Sequence, residues 1–218
     1  MNSAVKNNPT RAIALGIIAM MVVVVASNIL VQYPVRGMLG PVVLEDLLTW
    51  GAFTYPVAFL VTDLINRNFG PKAARRVVYA GFAVAVALSV VFATPRIALA
   101  SGCAFLFAQL FDIAIFHRLR HGAWWRAPIV SSTLGAILDT ILFFGISFSA
   151  SLAFLGSYDA FAVEAAPLFG YFALEVPRWV SWALGDFSVK ILVALCMLAP
   201  YRILLSIFGY GPYAASRI

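Results

Sequence analysis

Charged residues are scarce in this 218-residue chain. Asp, Glu, Lys and Arg together make up 11% of it, whereas a soluble domain carries about 25%. Hydrophobic residues make up 63%, and the mean hydropathy is +0.95. The apolar runs are continuous rather than alternating, which excludes a transmembrane β-barrel. The composition therefore predicts an all-α polytopic membrane protein.

Motifs for catalysis and metal binding are also missing. Cys103 and Cys196 lie in apolar segments without metal-ligand spacing, which is typical of small core residues. His117 and His121 lie in a basic loop without a carboxylate cluster, so we expect no metal and no cofactor. No nucleophile elbow, zinc-protease motif or phosphate-binding loop occurs. These absences argue against an enzyme and against a chain that hydrolyses ATP itself.

Six segments are long and apolar enough to cross a bilayer, which takes about 20 residues. They are Ala12–Tyr33, Leu47–Asn66, Ala74–Ala93, Arg96–Phe116, Pro128–Phe154 and Ser181–Pro200. No stretch has the composition of a linker, so we expect residues 1–218 to form a single six-helix transmembrane domain. The apolar segment from Gly156 to Val180 is expected to lie along the outer interface or to fold over the mouth of the bundle.

Loop charge predicts the orientation. The N-terminus, the second and fourth connections and the C-terminus together hold 11 of the 15 basic residues, and the opposite side holds three. Basic loops stay on the cytoplasmic side, so both termini are predicted to be cytoplasmic. The net charge of +6 is explained by these loops and does not indicate nucleic-acid binding.

Acidic residues inside the predicted spans are the strongest functional signal. Four of the nine lie there: Asp63, Asp112, Asp139 and Asp186. A carboxylate is costly in the membrane interior and usually faces a protein partner or a wet cavity. Polar companions lie one helical turn away: Asn66 and Arg67 after Asp63, Gln109 before Asp112, and Lys190 after Asp186, with Asn28 and Gln32 in the first span.

Each acidic residue also has a structural interpretation. Asp186 and Lys190 can neutralise each other, and Asp63 can pair with Arg67 in the same way. Asp112 can interact with basic residues of the next loop, such as Arg118. Asp139 has no basic residue within one turn of its own helix, so its structural interpretation is a pair with another helix.

Several segments of the chain are similar to one known family. WGAFTYPVAFLVTDLINRNFG followed by AARRVV resembles the central signature of the queuosine precursor transporters, a group of six-helix vitamin uptake transporters. SNILVQYPV, AQLFDIAIFHRLR with WWRAP, SSTLGAILDTILFFGISF and GDFSVKILVALCMLAPYR resemble other parts of the same family. The resemblance implies a multi-pass protein of the cell inner membrane that imports 7-deazaguanine bases, preQ0 and preQ1, for tRNA modification.

The polar residues are compatible with such a ligand. A carboxylate can accept the adjacent N–H donors of a guanine-like edge, and an amide can meet its carbonyl and ring nitrogens. An aromatic ring such as Trp50, Phe53, Tyr55 or Phe143 can stack on the flat base. The predicted substrate-binding residues are Asn28, Gln32, Trp50, Tyr55, Asp63, Asn66, Gln109, Asp112, Asp139, Asp186 and Lys190.

Two other functions are compatible with the sequence. A substrate-binding subunit of an energy-coupling-factor importer also has about six helices, and Ala12 and Gly16, four residues apart, offer a small face for a partner helix. An intramembrane enzyme is the other alternative, although it lacks a recognisable nucleophile or metal set. The partners expected are the small-molecule substrate and membrane lipid, with a homodimer as the working hypothesis for assembly.

The topology can be tested with reporter fusions. We expect reporters fused at Ile218 and inserted in the Gly156–Val180 segment to lie on opposite sides of the membrane, because the basic loops face the cytoplasm. Paired enzymatic reporters that are active on only one side measure this directly. Reporters on the same side would contradict the six-span arrangement.

Overall fold

The computed structural model describes residues 9–155 and 159–207. Nine α-helices lie in this part of the chain: α1 Pro9–Leu30, α2 Gly51–Thr54, α3 Val57–Phe69, α4 Pro71–Phe92, α5 Pro95–Leu119, α6 Arg126–Phe148, α7 Ala160–Val163, α8 Arg178–Cys196 and α9 Leu198–Ile207. Five stretches are long and apolar enough to cross a membrane, namely α1, α4, α5, α6 and the stretch from Arg178 to Ile207. The prediction of an all-α polytopic membrane protein is confirmed.

Proline and glycine set several helix limits. Pro71 and Pro95 occupy the first turns of α4 and α5, where a missing N–H costs nothing. Gly70 separates α3 from α4 with a φ of 80°, a conformation that favours glycine. Thr94 caps α5 by accepting a hydrogen bond from the Ile97 N–H at 3.4 Å.

The second predicted span, Leu47–Asn66, is not one continuous helix. Residues Leu44–Asp46 form a 3₁₀ turn, α2 begins only at Gly51, and the chain breaks at Tyr55 and Pro56 before α3 begins. Pro56 has no N–H to donate to the carbonyl of Ala52, so the hydrogen-bond ladder cannot continue through it. The apolar run hides this break because hydropathy does not register a single proline.

The last predicted span also differs at its end. Ser181–Pro200 was expected to stop at Pro200, but α8 is followed after one residue by α9, which continues to Ile207. Pro200 lies in the first turn of α9, a position that tolerates proline. The prediction that Pro200 ends the helix is therefore wrong.

Two short antiparallel hairpins lie between the long helices. Strands β1 Met38–Leu39 and β2 Val42–Val43 form the first, and β3 Ala165–Leu168 and β4 Phe172–Pro177 form the second. The second hairpin packs against α8, where the Phe169 N–H donates to Ser181 Oγ at 3.0 Å. The described part of the segment before α8, from Asp159 to Pro177, therefore contains α7 and this hairpin, which packs against the bundle. We call this side the hairpin end, and the side of the α3–α4 and α5–α6 connections the basic end.

Small residues bring the helices of the core close together. Met20 of α1 is fully buried, and a Cβ built at Gly81 of α4 would lie 2.5 Å from its Cγ. A Cβ at Gly16 would lie 2.8 Å from the Ile65 side chain of α3. Gly16 therefore packs inside the chain, whereas Leu15 and Ile18 on the other face of α1 are 58% and 56% exposed.

Arg96 contributes to the packing instead of lying in a loop. Arg96 is one of the three basic residues assigned to the side opposite the cytoplasm. It is 3% exposed, and its Nε donates to the Ile146 carbonyl at 2.8 Å. Its guanidinium also donates to the Ser149 carbonyl. A cation at the C-terminal end of α6 satisfies carbonyls that the helix leaves open.

The contact between α1 and α2 predicts a specific steric effect. A Cβ at Gly51 would lie 2.9 Å from the Val31 Cα, which cannot move without the backbone. We expect Gly51→Ala to destabilise the protein by about 1–3 kcal/mol, as overpacking does in other cores. Gly145→Ala in α6 is the matched control, since its Cβ would meet nothing within 4 Å. Thermal melts in detergent measure both, and equal melting temperatures would contradict the predicted clash.

Candidate substrate site between the helices

An ion network joins α6 to α8 in the interior of the bundle. Lys190 of α8 donates from Nζ to Asp139 Oδ2 of α6 at 2.6 Å, and it also forms an ion pair with Asp186 one turn before it. Lys190 is 5% exposed and Asp139 is 4% exposed. The structural interpretations of both carboxylates are confirmed: Asp186 pairs within its helix, and Asp139 pairs with another helix.

The two carboxylates differ in how much of their accepting capacity is used. Asp139 Oδ1 accepts a hydrogen bond from the Tyr55 hydroxyl at 3.1 Å, so both of its oxygens are engaged. Asp186 receives Lys190 and the Thr140 hydroxyl on Oδ2. No described donor bonds to Asp186 Oδ1, and the side chain of Asp186 is 18% exposed against 5% for Asp139. Asp186 is thus the carboxylate with an acceptor left for a ligand.

A cavity of about 150 Å³ lies beside this network. Its walls come from α1, α2, α4, α5, α6 and α8, together with Tyr55 at the helix break. The aromatic rings of Tyr55, Phe105 and Phe143 line it, and so do the hydroxyl side chains of Ser27, Thr49, Ser89 and Ser101. Flat apolar walls with a few convergent polar groups are the usual composition of a small-molecule site.

Five of the eleven predicted site residues line this cavity: Asn28, Tyr55, Asp139, Asp186 and Lys190. The amide of Asn28 also donates to the Val24 carbonyl of its own helix at 2.9 Å. Gln32 and Trp50 lie outside the cavity lining. Gln32 is exposed and bonds to the Asn28 carbonyl, and Trp50 is 47% exposed with its ring beside Phe53.

The other four predicted residues, Asp63, Asn66, Gln109 and Asp112, form a second polar cluster between α3 and α5, nearer the basic end. The Gln109 side chain accepts from the Thr62 hydroxyl at 2.9 Å. The Asn66 amide donates to the Ile113 carbonyl at 2.9 Å. All four are at most 2% exposed, and they do not line the 150 Å³ cavity. A ligand role for these four residues stays a prediction.

The expected pair of Asp63 with Arg67 does not form. Arg67 donates instead to the Tyr201 hydroxyl of α9 and to the carbonyls of Arg120 and Trp124, at 3.1 and 3.4 Å. Its guanidinium also lies 5.2 Å from the centre of the Phe116 ring. Arg67 therefore fastens α3 to α9 and to the loop after α5. The proposed pairing of Asp112 with Arg118 is likewise missing from the ion pairs of the described residues.

Sequence reasoning missed the hydroxyl groups of the cavity. Ser27 and Thr54 share a hydrogen bond of 3.0 Å between α1 and α2, and Ser27 lines the cavity. Isolated serines in apolar helices are common, because they often bond to their own helix backbone. Only the tertiary packing shows which of them face a cavity.

The chain is a helical membrane protein with a charged, partly aromatic cavity between its spans. This architecture is typical of small-molecule transporters. The chain belongs to the family described as "Putative vitamin uptake transporter", whose profile matches residues 49–94 and 89–204. No solved structure matches it.

Three curated relatives extend the match. The chain is 34% identical over 208 residues to the "Queuosine precursor transporter" of Escherichia coli (strain K12), covering 85% of this chain and 83% of the relative. It is 30% identical over 213 residues to a "Probable queuosine precursor transporter" of Haemophilus influenzae, with the same coverage. A protein of that second name from Bacillus subtilis (strain 168) is 27% identical over 140 residues, or 51% of this chain and 58% of the relative.

The buried ion network predicts strong coupling between α6 and α8. We expect Lys190→Met to cost roughly 3–5 kcal/mol, since it leaves two carboxylates without a cation. Asp139→Asn should cost less, because Lys190 keeps its ion pair with Asp186. The double variant should lose less than the sum, because it removes both charges of the 2.6 Å contact.

Thermal unfolding in detergent measures these costs. Glu164→Gln is the control, because the exposed Glu164–Arg178 pair should contribute at most about 1 kcal/mol. Strict additivity of the Asp139 and Lys190 variants would show that the two groups do not stabilise each other.

Proposed function

We propose that the chain imports queuosine precursors, the 7-deazaguanine bases preQ0 and preQ1, across the cell inner membrane. The names of its relatives support the substrate class. The observation that carries the proposal is the cavity itself, where an open carboxylate oxygen lies beside an ammonium group and aromatic rings. No cofactor is required, and one domain of this chain forms the whole path.

The hydrogen-bonding groups of the cavity match the edge of a guanine-like base. Such a base presents N–H donors next to a carbonyl oxygen. Asp186 Oδ1 can accept an N–H, and Lys190, whose ammonium has three hydrogens, has one left after its bonds to Asp139 and Asp186. That hydrogen can reach the ligand carbonyl. Charge-assisted bonds of this kind are about twice as strong as neutral ones.

Aromatic and electrostatic features add to this fit. Tyr55, Phe105 and Phe143 line the cavity, and stacking on a base contributes about 1–3 kcal/mol in nucleic-acid complexes. Two carboxylates and one ammonium leave the network with one negative charge when all three are ionised. That charge favours ligands rich in N–H donors and accommodates the cationic aminomethyl group of preQ1.

The packing of α1 removes the sequence feature that favoured the energy-coupling-factor alternative. Gly16, on the small-residue face expected to bind a partner helix, is buried against Ile65 and Val77 of this chain. We therefore propose that the chain transports without ATPase partners. Uptake of preQ0 by the purified chain in liposomes tests this, and uptake that requires added ATPase subunits would contradict it.

Substrate choice is tested by competition in the same proteoliposomes. We expect preQ0 and preQ1 to compete with labelled preQ0, and biotin, which lacks the flat guanine-like edge, not to compete. Competition by guanine and by queuine measures how much of the ring and of the side group the cavity recognises. Competition by biotin equal to that by preQ1 would contradict the proposed recognition. Conversion of the label to a new product would instead support the enzyme alternative.

Asp186 is the residue whose substitution tests ligand recognition most directly. We expect Asp186→Asn to weaken preQ0 binding about 10- to 150-fold, the effect of losing a hydrogen bond to a charged group worth about 1.5–3 kcal/mol. Isothermal titration or scintillation proximity binding with the purified protein measures this.

Glu175→Gln is the matched control, because Glu175 is an exposed carboxylate on β4 and does not line the cavity. It should bind preQ0 as the unmodified chain does. Unchanged affinity in Asp186→Asn, with a melting temperature near that of the unmodified chain, would contradict the role given to Asp186.

A further inference from the structure

Unpaired buried polar atoms are concentrated in the cluster between α3, α5 and α6. Asp63, Asn66, Gln109, Asp112 and Ser131 supply six of the ten buried side-chain atoms that have no hydrogen-bond partner in the described residues. Both oxygens of Asp112 and the Ser131 hydroxyl are among them, and these two residues are 0% exposed. Buried polar groups nearly always have a hydrogen-bond partner, so this concentration of unpaired atoms indicates a site that binds water, a ligand or a proton.

This cluster is separate from the 150 Å³ cavity. Asp63 follows Tyr55 by eight residues, and Ser131 precedes Asp139 by eight, which is about 12 Å along each helix. Phe59 lies between the cluster and the cavity along α3 and is 2% exposed. A Cβ at Gly135 of α6 would lie 3.0 Å from the Phe59 ring, so the helices are in tight contact there. The cluster therefore lies outside the cavity proposed to hold the base, and we assign it a different role.

The centre of the cluster is a pair of neighbouring carboxyl groups. Thr62 bonds to Gln109 and Asn66 bonds to the Ile113 carbonyl, which brings this part of α3 against α5 and places Asp63 and Asp112 close together. No Lys, Arg or His nitrogen of the described chain forms an ion pair with either carboxyl. The charged and titratable groups that interact with the pair are Arg67 on α3 and Tyr201 on α9. Each nitrogen of the Arg67 guanidinium donates elsewhere.

Two adjacent carboxylates without a bound cation cannot both be charged in a dry environment, because their repulsion adds to the cost of burial. A single proton shared by the two carboxyl groups would remove this cost. This behaviour belongs to the pair rather than to either residue. The arrangement contrasts with Asp139 and Asp186, where Lys190 supplies the compensating charge.

A small space lies beside Asp63. A cavity of about 10 Å³ is lined by Asp63, Ser132 and Tyr201 among others. That is close to the minimum volume that accommodates one water molecule. The bond between Tyr201 and Arg67 lies at the same place. Ser132 and Tyr201 are therefore the polar side chains that share this space with Asp63, and the rest of its lining is apolar.

We propose that Asp63 and Asp112 form a proton-binding site, and that uptake and release of one proton at this pair accompanies each cycle of substrate transport. The coupling rests on the proposed function, whereas the proton-binding site does not. The proton binds to a carboxylate oxygen and leaves as the same proton, so no oxidant or further reactant is involved. A gradient of pH across the membrane then drives accumulation of the substrate.

The coupling is tested with the full chain in proteoliposomes and labelled preQ0. Counterflow exchange without a pH gradient reports transport alone, and net accumulation under an imposed gradient reports coupling. One pH unit supports about tenfold accumulation if one proton accompanies each substrate. We expect that accumulation in the unmodified chain and its loss on adding a protonophore. Asp63→Asn and Asp112→Asn, which mimic the protonated acid, should exchange preQ0 but not accumulate it, while Glu175→Gln behaves like the unmodified chain.

The proton itself is tested without any substrate. Infrared spectra of the purified chain should contain the C=O stretching band of a protonated carboxylic acid at neutral pH, and this band should change or disappear in Asp112→Asn. Absence of the band overturns the proton-binding site whatever the transport assays give. Exchange with accumulation that is independent of pH overturns the coupling alone. A chain that shows the band but neither exchanges nor binds preQ0 contradicts the proposed function and the coupling, while the proton-binding site is supported.

Discussion

The contact between Lys190 and Asp139 determines where the bundle can hold a polar cavity. Hydrocarbon offers no water to solvate an ion, so a charge between transmembrane helices must find its partner inside the protein. Lys190 meets this requirement by bonding to carboxylates of two helices, and Tyr55 adds a third element to the network. The cavity lies beside this network, and its charge pattern follows from which oxygens the network leaves open.

Two kinds of buried polarity coexist at two depths of the same bundle. At one level the charges compensate each other around Lys190 and border the cavity that three aromatic rings line. At the other level, between α3 and α5, two carboxyl groups lie together without a cation, while Arg67 next to them is fastened to Tyr201 and to backbone carbonyls. The first arrangement favours recognition of an uncharged or cationic ligand, and the second favours exchange of a proton.

Sequence patterns predicted the parts of this structure that depend on local chemistry. Long apolar runs locate five spans because hydropathy is a local property, and the spacing of Asp186 and Lys190 places them on one helical face. Asp63 and Arg67 have the same spacing but do not pair, because Arg67 finds Tyr201 far along the chain. A pair between Asp139 and another helix was predicted, but its partner Lys190, 51 residues away, was not, since that depends on how α6 packs against α8. Local spacing permits a contact, and tertiary packing decides between the available partners.

The break at Pro56 divides the second span into two helices, α2 and α3, which meet at a joint formed by Tyr55 and Pro56. α3 has 13 residues, so it extends about 20 Å from the break toward the basic end. Tyr55, at the joint, touches the cavity through its bond to Asp139. A rotation of a few degrees at this joint would displace the far end of α3, where Arg67 lies, by about an ångström or more. Because Pro56 removes one backbone hydrogen bond, this is a position in the second span where a bend would cost little, and such a bend would change the distance between the cavity and the basic end.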